Sequence, residues 1–243
     1  MKREADKIII EGLQKQILHL QGNRSETDSN LNIDLGEMNA AFPGKVFPRA
    51  AIHELISASP ESAASTSGFI SVVLGKLMQQ GGFSAWIGKN NIYPPALRMF
   101  GIEPDRILFI DTKKPKDTLW AIEEALKCDA LTSVVGELHE LNFEESRRLQ
   151  LAVEKSRVTG FIHRYKPKTQ NTVACTSRWK IDPIVSISPD GMPGISYPAW
   201  NIQLLKIRNG RPGEWQTQWS PKGLEYLQKE IPVVLPLYQP QIA

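Results

Sequence analysis

Apolar positions along this chain change period several times, and each change marks an element. Near the start, Ile10, Leu13, Ile17 and Leu20 recur at steps of 3, 4 and 3, one face of an amphipathic helix over residues 4–21 that Gly22 ends. The polar, turn-rich run QGNRSETDSNLN that follows reads as a linker. From 33 to 164, short apolar runs alternate with helical patterns, the signature of a mostly parallel sheet covered by helices. Strands are expected at 52–56, 83–87, 107–110 and 133–135, with a fifth beginning at Phe161. Helices are expected at 68–80, at 94–100 with Pro95 near N1 and Gly101 as the stop, and at 118–127 behind an Asp117 N-cap. A last one carries Leu149, Ala152 and Val153 after the capping-box pair Asn142 and Glu145.

From Tyr165 the pattern shifts to Pro, Gly, aromatic and β-branched residues, with turn signals at Pro189-Asp190-Gly191 and Arg208-Asn209-Gly210. Antiparallel strands or hairpins are expected there. The chain thus divides into residues 1–30 (helix and linker), 31–220 (one α/β domain, core 33–164 and β-rich extension 165–220) and 221–243, a segment with a Pro-rich tail. No internal repeat is visible.

Composition changes the picture little. The 243 residues are 41% apolar, enough for one sizeable core. With 29 Lys and Arg against 26 Asp and Glu, the net charge of +3 is too weak to argue for nucleic acid by itself. No run of 18 apolar residues is present and MKREADKIII lacks the h-region of a signal peptide, so a cytoplasmic protein is expected, with no membrane partner. Cys128 and Cys175 show no C-x-x-C and read as buried thiols. His53 and His139 form no H-E-x-x-H and read as ordinary polar positions, so neither a metal nor a cofactor is expected. Trp179, Trp200, Trp215 and Trp219 are expected to fill a core rather than to stack on bases.

The chemistry lies between the first strand and its helix. Ser59-Pro60-Glu61-Ser62-Ala63-Ala64-Ser65-Thr66 has the spacing of a phosphate-binding loop, G-x-x-x-x-G-K-[ST], with only Thr66 kept. Ser59 and Ala64 replace the glycines that let backbone N–H groups curl around phosphates, and Ser65 replaces the lysine that meets them. This segment, between Ile52–Ile56 and the helical pattern of Phe69–Met78, resembles the ATP-binding segment of the RecA family. On that register Asn90 falls at the catalytic Glu, Gly136 at the Mg²⁺-orienting Asp with Glu137 one residue late, and His163 at or near the γ-phosphate sensor. The resemblance implies a RecA-like fold without ATPase activity and without catalytic residues.

Further motifs narrow it. Phe47-Pro48-Arg49-Ala50-Ala51-Ile52-His53-Glu54-Leu55, Leu119-Trp120-Ala121-Ile122-Glu123-Glu124-Ala125-Leu126, Arg147-Arg148-Leu149-Gln150-Leu151-Ala152, Ser177-Arg178-Trp179 and Gly210-Arg211-Pro212-Gly213 resemble the ImuA family of bacteria over roughly residues 30–220. That resemblance implies an accessory role in the SOS mutasome, beside the Y-family-like protein ImuB, RecA and a specialised replicative-type polymerase in error-prone translesion synthesis. The SulA cell-division inhibitors, which bind FtsZ, resemble the same degenerate core and supply the alternative; an active RecA-like ATPase with an unusual phosphate site is the third reading.

Contacts to partners would come from three places. Arg164-Tyr165-Lys166-Pro167-Lys168, a basic segment with one aromatic ring, is the candidate for weak contact with single-stranded DNA. The stripe Ile10, Leu13, Ile17 and Leu20 is a candidate protein contact, on its own core or on a neighbour. The tail around Leu235, Leu237 and Tyr238, apolar and Pro-spaced, is the other.

Overall fold

The computed structural model describes residues 33–79, 81–89, 92–169, 171–186 and 196–227. The expected amphipathic helix, the linker, the Pro189-Asp190-Gly191 turn and the C-terminal tail lie outside them. Strand β1 (Ile52–Ser57) leads into helix α1 (Pro60–Leu77), β2 (Phe83–Gly88), β3 (Ile107–Asp111), α2 (Pro115–Lys127), β4 (Leu131–Leu138), α3 (Phe143–Ser156) and β5 (Thr159–Tyr165). Four further strands follow: β6 (Ser177–Ile184), β7 (Ala199–Ile207), β8 (Gly213–Ser220) and β9 (Gly223–Tyr226). All nine join one sheet in the order β3-β2-β4-β5-β1-β6-β7-β8-β9. The strands from β3 to β6 run parallel and those from β6 to β9 antiparallel.

The α/β reading holds, with one refinement at its border. β6 was expected to open an antiparallel region, yet it lies parallel to β1, His53 opposite Ser177 and Leu55 opposite Trp179, before β7 turns back along its other edge. Period-2 alternation fixes which face a side chain takes but carries no information on strand direction.

Alternation splits the interior into two cores. On one face Leu55, Trp86, Val135 and Phe161 pack against Phe69, Val73 and Leu74 of α1, with Met38, Phe42 and Phe47 and the C-terminal strands' Trp200 and Ile202 closing the layer. On the other, Ile52, Ile87, Val134 and Ile162 meet Ile122 and Leu126 of α2 and Leu149 and Val153 of α3. Of the four C-terminal tryptophans, Trp179 and Trp200 are buried and Trp215 and Trp219 pack at the core's edge.

Helix ends follow local chemistry. Asn142 caps α3 with a full capping box, its Oδ1 accepting from Glu145 N while Glu145 reaches back to Asn142 N. Gly101 ends the short 3-10 segment Pro94–Phe100 in the left-handed conformation, φ 74°. Asp117 is not the cap of α2: Pro115 occupies N1, Lys114 stands at the cap without a side-chain bond, and Asp117 falls inside the first turn. Cys175 is buried as expected, but Cys128, at the end of α2, is exposed. Among the described residues no helix is long and apolar enough to cross a membrane.

Candidate functional site

The strand-to-helix junction is not a loop. Ser59 is extended, its hydroxyl accepting from Ser62 N at 3.2 Å, and Pro60 stands at N1, so only two residues separate β1 from α1. Ser59 to Thr66 are therefore a cap and two helical turns, and the helix starts eight residues before the expected Gly68. A nest of N–H groups needs an irregular turn here, and the helix leaves none.

The helix N-terminus, a natural seat for an anion, already has one. The Ser59 hydroxyl, Glu61's own backbone N–H and the nearby charge of Lys166 hold the exposed Glu61 carboxyl below its ordinary range. Ser62 Oγ donates to Asp182 Oδ1 at 2.8 Å, and Asp182 also takes Lys180 at 2.6 Å. A phosphate entering here would meet two carboxylates.

Thr66, the residue kept from the motif, is sealed inside. Its hydroxyl bonds Ser57 Oγ at 2.8 Å, and Ser57 Oγ bonds His163 Nε2 at 2.9 Å. All three side chains are buried at the carboxyl ends of β1 and β5. Burial pushes the His163 imidazole down to about 4, so it stays neutral near pH 7. Ser65, in the lysine position, is also buried, while Ala64 is exposed.

The second carboxylate position, at Gly136, is equally closed. A Cβ on Gly136 would lie 2.3 Å from Ile122 Cδ1, so α2 sits where an Asp side chain would need room. Glu137 turns to the other face and accepts from Trp86 Nε1 at 2.9 Å and Lys89 N at 3.2 Å, a tether between β4 and β2. Asn90 lies outside the described residues.

One expected nucleic-acid contact is overturned. Arg164 is fully buried: its guanidinium pairs with Glu54 Oε1 at 2.7 Å and Glu140 Oε2 at 3.2 Å and donates to Asn171 Oδ1 and Thr169 O. Glu54, equally buried, takes Arg178 Nε on its other oxygen at 2.5 Å. This cluster is internal because a buried carboxylate needs opposite charge and hydrogen bonds at every lone pair. Tyr165, half-buried, carries Lys166 Nζ 5.3 Å from its ring centre, and Lys166 and Lys168 are exposed. Lys168 N donates to Glu140 Oε1 at 2.7 Å, which ties the segment to the arginine cluster. The candidates Ile10, Leu13, Ile17, Leu20, Leu235, Leu237 and Tyr238 lie outside the described residues.

Two buried groups were missed by sequence reasoning. Glu54 and Arg178 pair across 124 positions, a separation no local pattern reveals. His53 is a core residue rather than a surface one: Nε2 donates to Pro48 O at 2.8 Å and Nδ1 accepts from Ser177 Oγ at 2.6 Å, and the ring packs against both Phe47 and Phe161. Burial pushes it down to about 4 as well. Among the described residues no group of His, Cys, Asp or Glu is arranged to hold a metal ion.

No family model matches the chain. Protein ImuA of Caulobacter vibrioides, in each of two strains, is 29% identical to it over 199 residues, covering 76% of this chain and 82% of the relative.

Proposed function

Because the chain belongs to the ImuA family, we propose that it is a non-catalytic accessory factor in damage-induced, error-prone translesion DNA synthesis. It works through contacts with an ImuB-like Y-family protein, with RecA and with a specialised polymerase, and weakly through single-stranded DNA. The reading is supported chiefly by the state of the phosphate site. Glu61 sits at the helix N-terminus in place of an anion, and Thr66 is spent on Ser57 and His163. A chain that keeps this architecture while turning its nucleotide-binding groups inward has its surface left to act with. Tyr165, Lys166 and Lys168 carry the strand contact, and the stripe Ile10 to Leu20 and the tail around Leu235 to Tyr238 carry the protein contacts.

Two measurements test this. Steady-state phosphate release from ATP stays at the level of a mock preparation for the full chain and for Ser65→Lys, since a lysine alone rebuilds neither the nest nor the carboxylates. Release that Thr66→Ala abolishes would overturn the non-catalytic reading. Pull-down of an ImuB-like partner weakens on deletion of 231–243, and RecA binding or self-association weakens in Leu13→Asp with Ile17→Asp. Unchanged binding in either case removes that segment from the proposal.

A further inference from the structure

At the opposite end of α1, its last two turns, the 3-10 segment Pro94–Phe100 and the turn between β8 and β9 enclose an open cleft of about 230 Å³. Its floor carries the Phe100 and Trp219 rings, 5.4 Å apart and tilted by 30° to one another, and Met99 beside them is 62% exposed. Its wall is fixed, because α1 and the 3-10 segment touch backbone to backbone; a Cβ on Gly75 would lie 2.0 Å from Phe100 O. Two cations, Lys76 and Lys222, flank the floor, and among the described residues no carboxylate lines the cleft. Neither ammonium has an ion-pair partner among the described residues.

We propose that this cleft docks an acidic peptide segment of a partner protein. One bulky apolar side chain enters beside Met99 and Trp219 while flanking carboxylates meet Lys76 and Lys222. The size fits one such side chain and falls below the roughly 300–1,000 Å³ of small-molecule pockets. An apolar anchor ringed by polar contacts is the arrangement that concentrates binding energy in peptide recognition. Two lysines are too few to hold a nucleic-acid backbone at physiological salt. The chain's own tail is a poor occupant on charge: residues 231–243 contain no Asp or Glu to answer the lysines. None of the cleft's lining residues belongs to the stripe, the tail or the 165–168 segment, so the inference goes beyond the role proposed above and does not depend on it.

The test is fluorescence anisotropy on the full chain with a short labelled peptide carrying Leu-Phe at its centre and Asp or Glu at every other position. Saturable binding is expected, weakened roughly tenfold by Lys76→Glu with Lys222→Glu, by Trp219→Ala, or by Ser-Ser in place of Leu-Phe in the peptide. The lysine variant is expected to melt close to wild type, since Lys222 is exposed and the half-buried Lys76 has no ion-pair partner among the described residues. No binding, or equal binding to wild type and the lysine variant, overturns the proposal. Binding seen only in Leu235→Asp with Leu237→Asp also overturns it, by showing that the tail occupies the cleft. The pull-downs of the preceding section are unaffected by any of these outcomes, so the two ideas fail separately.

Discussion

The two ends of α1 treat their polar groups in opposite ways. At its N-terminus the hydroxyls of Ser62, Thr66 and Ser57 are answered by neighbours: Ser62 by Asp182, Thr66 by Ser57, Ser57 by His163. At its C-terminus Lys76 and Lys222 flank the exposed Met99 with no acidic partner among the described residues. The first arrangement stabilises the fold and leaves nothing for a ligand, whereas the second adds little to the fold and leaves its contacts unmade. Substitutions at the sealed end should therefore change stability, and those at open surfaces should change binding.

Acid gives the largest contrast. His53 and His163 titrate near 4 when folded against an ordinary value of about 6.5, so the unfolded chain binds more protons throughout that window. Their stabilisation is complete above pH 6.5 and is lost as pH falls to 4, by roughly 3 kcal/mol per histidine. Urea denaturation along that range should show the midpoint falling, and His53→Asn should flatten the fall by about half. A pH-independent midpoint would mean that the two rings are solvated.

A sharper test lies within one stretch of sequence. Arg164→Met strands the buried Glu54 beside Arg178 alone and should cost about 3–5 kcal/mol. Lys166→Ala with Lys168→Ala, two and four residues on, should change stability by less than about 0.5 kcal/mol. Thermal melts of the two variants compare them directly, and equal losses would place the lysines inside the fold.

The smallest effect is on nucleic acid. If Lys166 and Lys168 follow a phosphate backbone, the double variant should weaken binding about equally for every oligonucleotide and, on single strands, reduce the slope of log K against log salt by about 1.4. Anisotropy with single strands of unrelated sequence checks it. An unchanged slope removes the segment.

The sealed end shows what a sequence discloses and what it withholds. Strands, helix α3 and its capping box were legible because each is written in neighbouring residues, Asn142 and Glu145 above all. The early start of α1 was written just as locally, in Ser59 as cap and Pro60 at N1, but the spacing of a phosphate loop over the same residues masked it. Pro115 beside Asp117 raised the same ambiguity at α2. Arg164 could not have been read as internal, because its basic neighbours Lys166 and Lys168 make it look like part of a surface run while its partner Glu54 is 110 positions away. Strand direction at β6 was invisible for the reason that alternation has no sense of direction.

The place of β1 in the sheet also sets a timetable for synthesis. Its two neighbours are β5 and β6, so the strand leaves the ribosome with no partner until about 100 residues have followed it, some 5–20 s later at ordinary elongation rates. Through that interval Glu54 remains hydrated and unpaired, since both of its arginines belong to the same late strands. The nascent chain consequently carries a charged residue in the middle of an apolar strand while that strand is exposed, a built-in gatekeeper against premature pairing with other chains. The arrival of Arg164 and Arg178 then converts the same carboxylate into part of the finished interior.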